Sequence, residues 1–370
     1  MKVLVMYASF GSGHRRAAEA LVEAFQDRGI AVDQHDLLEF LPAPMSKFYS
    51  SAYEFMITSG RRLWHLTYNL VNAPKSPYRP AKARTQKWQF TELKEFLQHT
   101  PFTHLISTHF TPSALFTDWR TMDDLHCKMF SVITDHEAHR CWKRTGLDHY
   151  FVASEGVASE MHQIGVHQKD ITVSGIPISK AFCNPVSRAD ARKAFNLDSN
   201  GTVVLVLCSA VAVKKSIQML EEFAAFDQQV HYLVVAGSDS AKEQHLKKRF
   251  SNDKRFAIFG FSKHIAEMMR ASNVIVTKPG GLIVSEAMAA GLPQILLEPI
   301  PGQEEANARY AVEKGAAICV IHKRGIYKDT LATILRDSAT LLRMRDAARQ
   351  AGKPRAAATV VETILSSFIV

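Results

Sequence analysis

VIVTKPGGLIVSE, residues 274–286, decides how this chain folds. Val274 to Thr277 is a continuous apolar and β-branched run with no polar alternation, as in a strand covered on both faces. Pro279, Gly280 and Gly281 come next, and Leu282 then opens a helical pattern. Strand, glycine turn and helix together are the repeating unit of a parallel α/β fold. The glycines let the backbone turn sharply and approach a ligand closely. Free N–H groups at the helix start suit an anion such as a diphosphate. Lys278 is placed either to pair with that anion or to lie in solvent. Glu286, about one turn into the helix, is placed to accept hydrogen bonds from hydroxyls.

The same grammar runs outward in both directions. Before this stretch come the runs Lys2–Ala8, Ala31–Asp36, His104–Thr108, Phe130–Thr134, His149–Ala153 and Ile171–Val173, then Val203–Cys208, His231–Val235 and Phe256–Phe259; after it come Ile295–Leu297 and Ala317–Ile321. Amphipathic segments lie between them. His14–Arg28 gathers Ala17, Ala18, Leu21, Val22 and Phe25 on one face and stops at Gly29, a helix-ending glycine. Gly175-Ile176-Pro177 to Pro185 holds two prolines in a short stretch, as an interdomain linker does. The expected architecture is α/β, with two Rossmann-like domains facing each other across a cleft. The expected domains are 1–176 and 177–345, with a helical segment, 346–370, packing back on the first.

The formal net charge is +9, which biases the protein toward anionic partners without choosing among them. Five cysteines stand singly, with no C-x-x-C pair, so a disulfide framework or zinc site is not expected and a reducing compartment is. The apolar start, Met1 to Phe10, runs directly into Gly11-Ser12-Gly13 and reads as a core strand, not a signal peptide. The longest apolar run, Val203 to Val213, is too short to span a bilayer. Residues 45–90 break the α/β rhythm. They carry eight basic residues against one acid, Glu54, with Phe48, Ala52, Phe55, Met56, Leu63, Leu66 and Leu70 recurring at three- and four-residue steps. That composition matches an interfacial membrane segment as well as a core helix with a solvated basic loop. Phe55, Arg61, Arg62 and Trp64 are its candidate acceptor- and membrane-contacting residues.

Three further motifs end buried strands, where open α/β sheets place their ligands. Gly11-Ser12-Gly13-His14 opens the first helix. His14 is a candidate general base there, or a capping histidine. The spacing is not that of a dinucleotide fingerprint. Thr134-Asp135-His136 places a carboxylate at a strand end, to orient a histidine, to act as base itself, or to cap the next helix. In Pro301-Gly302-Gln303-Glu304, the last two side chains sit on a tight turn suited to reading sugar hydroxyls.

Taken together, GSGH at 11–14, TDHEAHRCW at 134–142, GIPI at 175–178, FGF at 259–261, TKPGG at 277–281, SE at 285–286 and PGQEEAN at 301–307 resemble the monogalactosyldiacylglycerol synthase and processive diacylglycerol glucosyltransferase family. The resemblance runs over nearly the whole chain and implies a GT-B fold and an inverting hexose transfer from a UDP-sugar to diacylglycerol. It implies no cofactor and no metal. By matching position, Gly13 belongs to the donor site, backbone around Phe261 reads the uracil, Gly280 and Gly281 the diphosphate, and Glu286 the ribose. Gln303 and Glu304 contact the donor sugar. His14 and Asp135 are the candidate bases, and Trp142 joins the acceptor set. The implied partners are the UDP-sugar, a lipid acceptor and an anionic membrane surface at the cytoplasmic face, with no nucleic acid. Cys208 to Lys215 departs from the pattern, since the family has a glycine-rich turn there and this chain has none. The rival readings are transfer to a polyprenyl-linked acceptor, a UDP-sugar 2-epimerase, and a non-catalytic lipid-binding homologue.

Overall fold

The computed structural model describes residues 1–58, 60, 66, 70, 72, 87–121, 125–226, 229–321, 323 and 325–368. The chain divides into two units. The first comprises residues 1–180, 300–306 and 355–370, and the second 181–299 and 307–354.

The first unit holds a six-stranded sheet in the order β2-β1-β3-β4-β5-β6. Its strands are β1 (Lys2–Tyr7), β2 (Ala31–Asp36), β3 (His104–Ser107), β4 (Lys128–Val132), β5 (His149–Val152) and β6 (Ile171–Val173). All pair in parallel; Val3 of β1 faces Val32 on one side and His104 on the other. The helices are α1 (Ser12–Gln26), α2 (Ala43–Thr58), α3 (Thr91–His99), α4 (Phe110–Arg120) and α5 (Glu155–Gln163). The apolar face of α1 read from the sequence buries Ala18, Leu21 and Phe25 against Val3, Val5 and Ile106.

The second unit repeats the plan, with its sheet in the order β12-β11-β10-β7-β8-β9. Its strands are β7 (Thr202–Leu207), β8 (Val230–Val235), β9 (Phe256–Phe259), β10 (Val274–Thr277), β11 (Gln294–Leu297) and β12 (Ala317–Val320). They also pair in parallel, with Val204 of β7 between Tyr232 and Val274. Helices α6 (Arg188–Ala194), α7 (Val213–Ala224), α8 (Ser240–Arg249), α9 (Ile265–Ala271), α10 (Gly281–Ala289), α12 (Ile326–Leu335) and α13 (Ser338–Ala351) cover it, and α11 (Gln303–Glu313) starts within 300–306 of the first unit.

The last helix, α14 (Ala356–Ser367), belongs to the first unit, where Ala357, Val360, Val361 and Ile364 share the core of α1. The expected boundary at 345 cuts through α13, which lies whole in the second unit.

Each sheet reverses its strand order once. In the first unit, β2 lies to one side of β1 and β3 to the other; in the second, β8 and β10 flank β7 in the same way. Such a reversal leaves a crevice at the carboxyl ends of the two central strands, because the connections leave in opposite directions. The ends of β1 and β3 carry Gly11–His14 and Thr108-His109. The ends of β7 and β10 carry Cys208–Ala212 and Lys278–Gly281.

Candidate active site

The β1/β3 crevice is built around His14. Gly11 precedes α1 with φ of 91°, a left-handed conformation that glycine adopts at no steric cost, and no side chain caps the helix. At the end of β2, Asp36 accepts from Ser9 N at 3.1 Å and so fixes the loop that enters α1. Thr108, after β3, clamps the first turn twice. Its hydroxyl donates to His14 O at 2.9 Å, and its carbonyl lies 2.8 Å from His14 Nδ1. A carbonyl oxygen only accepts, so Nδ1 carries the proton and Nε2 keeps its lone pair. That is the tautomer of a general base. Thr134 Oγ1 lies 2.9 Å from the same Nδ1.

His109 stands edge-on to His14, with ring centroids 4.7 Å apart. Burial, and then the neighbouring His14, hold His109 well below the ordinary imidazole range, so it stays neutral. Burial also lowers His14, while the Asp135 carboxylate and the Thr108 carbonyl pull it back up. Asp135 is buried at the end of β4 and accepts from Gln303 Nε2 at 2.9 Å. The first unit thus brings together His14, Asp135 and Gln303. Gln303, expected to contact the donor sugar, is the residue that donates to Asp135 here. Glu304 is occupied by backbone, since its carboxylate accepts from Ile300 N at 2.7 Å and closes the turn that starts α11.

In the β7/β10 crevice, Gly280 precedes α10 with no side-chain cap. Its φ is −67°, open to any residue, and an added Cβ would meet only Ile283 Cγ2, at 3.8 Å. Packing does not demand a glycine here, so the space beside it is available to a ligand. Glu286 is buried one turn on. Lys278, read as paired with phosphate or solvated, is partly buried and its ammonium donates to Glu298 O. Lys215 pairs with the Glu298 carboxylate. Phe261, just past β9, exposes 70% of its surface.

Among the acceptor candidates, Phe55 is exposed on α2, as is Phe48. Arg61, Arg62 and Trp64 lie outside the described residues. Trp142 is corrected: at 3% exposed it is buried, with its ring edge-on to Phe110, and it offers no surface to a bilayer. Among the described residues no helix is long and apolar enough to cross a membrane, and no group of three His, Cys, Asp or Glu side chains is placed to hold a metal. Sequence reasoning missed Asp36, Thr108 and His109 as site residues. Asp36 and Thr108 end strand runs, which was the available signal.

Residues 14–178 match the monogalactosyldiacylglycerol synthase model, and residues 187–351 the model for glycosyl transferases group 1. A processive diacylglycerol beta-glucosyltransferase of Bacillus cytotoxicus is 30% identical over 366 residues, covering 98% of this chain and 93% of the relative. The chain belongs to this transferase family. The Bacillus pumilus member is 28% identical over 371 residues, covering 98% of this chain and 94% of the relative. The fold likeness extends to Acinetobacter baumannii MurG, with a TM-score of 0.65 at 16% identity over 98% of this chain and 99% of that one. The GT-B fold and the glycosyltransferase class of the family therefore apply to this chain.

Proposed function

We propose that this protein transfers a hexose from a UDP-sugar to diacylglycerol at an anionic membrane surface, with inversion and without a metal. The observation that carries the reading is the His14 tautomer. A neutral imidazole with Nδ1–H held by Thr108 O leaves Nε2 free to take the acceptor hydroxyl's proton. Such a base contributes about 10² to 10⁴ in rate. As the hydroxyl attacks the anomeric carbon, negative charge builds on the departing diphosphate. Amides at the uncapped start of α10 are the kind of donor that stabilises it. Asp135 supports the imidazolium that forms, and Gln303 fixes Asp135.

The membrane part rests on α2 and on Leu66 and Leu70 beyond it. Phe48, Phe55, Leu66 and Leu70 are large apolar side chains at least half exposed, within the stretch richest in basic residues. Apolar side chains that enter the interface, beside lysines and arginines that meet anionic headgroups, give peripheral attachment.

The test is to incubate the purified chain with individual UDP-sugars and diacylglycerol vesicles, with and without EDTA, and to identify the lipid product. A hexosyl-diacylglycerol formed at equal rates in both is expected. His14→Ala should lower turnover by about 10² to 10⁴ and leave UDP affinity unchanged. Absence of UDP release with every donor would overturn the reading, and a His14→Ala enzyme of near-normal rate would remove the base assignment.

A further inference from the structure

The turn after β7 poses a problem that the rest of the β7/β10 crevice does not. It reads Cys208-Ser209-Ala210-Val211-Ala212, without the glycine that would let backbone amides turn toward a ligand. Two residues of neighbouring segments take over. Gly237, after β8, has φ of 92°, and a Cβ there would sit 2.8 Å from Ser209 Cβ. The close approach comes from the facing chain. From the other side comes Lys242, in the first turn of α8, fixed there because Asp239 caps its amide at 3.0 Å. Lys242 is 4% exposed. Its ammonium donates to Cys208 O and, at 2.6 Å, to Val211 O.

An ammonium has three donors and no acceptor, so it orders whatever oxygens surround it. Two carbonyls of one five-residue turn point at it. Val211 N closes the turn on Cys208 O at 2.9 Å. The amides of Ser209, Ala210 and Ala212 have no acceptor among the described residues, and Ala212 leads into α7 without a side-chain cap. The turn is therefore polarised, with its oxygens drawn onto a buried cation and its N–H groups left over at the switch point of the sheet.

We propose that Lys242 is a positioning residue for the donor diphosphate. It holds the carbonyls of the 208–212 turn inward so that the spare amides are presented to the phosphates, replacing what glycines do elsewhere. This rests on the UDP-sugar reading above.

The experiment compares the full-length wild type, Lys242→Met and Lys242→Arg, titrating each calorimetrically with UDP, UMP and uridine. Charge-assisted bonds are about twice as strong as neutral ones, and the expected loss for Lys242→Met is about tenfold in UDP affinity with uridine affinity unchanged. Lys242→Arg, which keeps a cation and donors, should recover most of it. Should Lys242→Met fail to fold, Lys242→Gln takes its place with the same expectation. If the methionine or glutamine variant binds UDP as tightly as wild type, or loses UDP and uridine in equal proportion, the proposal is overturned while the donor site stands. If wild type itself prefers UDP no more than uridine, the donor-site reading fails and takes the proposal with it.

Discussion

His14 shows how much of a side chain's chemistry is set by atoms remote in sequence. GSGH announces a histidine at the mouth of a helix, and TDH announces a carboxylate at a strand end. Both were legible because each comes after a buried strand. What the sequence did not display is the partner set: Thr108, 94 residues away, and Gln303, 168 residues from Asp135. Hydrogen bonds of that separation leave no periodic trace. The Thr108 bond decides the His14 tautomer, and the burial of the ring carries a prediction. Because burial depresses His14, the acid limb of kcat/KM for the lipid acceptor should lie below the usual imidazole pKa of about 6.5. Asp135 raises His14, so Asp135→Asn should move that limb to still lower pH. A pH–rate profile of the two enzymes checks this, and a limb that stays fixed or rises would contradict the assignment.

Strands were the most readable elements. All the runs read from the sequence became strands; the central ones are apolar throughout because a parallel sheet buried on both faces has no room for polar alternation, while the edge strand β2 is polar and only partly buried. Strand order was not readable, nor was the fate of long side chains. Lys278 lies in the motif that announced the fold, yet it bonds a carbonyl of its own unit. Trp142, aromatic and next to basic residues, turned out to be buried. Gly280 makes the converse point: its conformation and surroundings tolerate a methyl group. Gly280→Ala should therefore change Tm by no more than about 1–2 °C, since surface-like substitutions stay within about 0.5 kcal/mol, while weakening UDP binding. Equal UDP affinity in the alanine variant would show that the phosphates lie elsewhere. On α2, replacing both Phe48 and Phe55 with Ser should lower the affinity for anionic vesicles, read by sedimentation, by about a hundredfold or more, because each buried large apolar side chain contributes about 1.5–3 kcal/mol. Activity on a short-chain, soluble diacylglycerol should be spared. Unchanged sedimentation would return α2 to an ordinary solvated helix.

At the scale of the whole molecule, two six-stranded parallel sheets of different strand order each reverse once; GSGH and TKPGG fall at those reversals, and TDH and PGQE follow the neighbouring strands β4 and β11. The family comparison covers both units, consistent with a single transferase. The interior also carries several neutral histidines. Burial lowers His104, His109 and His149, and His136 to about 3. The unfolded chain takes up these protons near pH 6.5 and the native one does not. Stability is therefore full above pH 6.5 and is lost as pH falls below it, by about 1.4 kcal/mol per pH unit for each excluded proton. Thermal melts at pH 7.5, 6.0 and 5.0 should show a falling Tm, and a flat series would mean that these rings are protonated in place.

The last helix carries a consequence for synthesis. Ala357 to Ile364 complete the core around α1, and Phe368 O accepts a hydrogen bond from His104 Nε2 on β3. The residues that complete the first unit's interior therefore come after the whole of the second unit in the sequence. The strands of the second unit all lie between residues 202 and 320, so that unit has its whole sheet in hand before the last helix of the first is made.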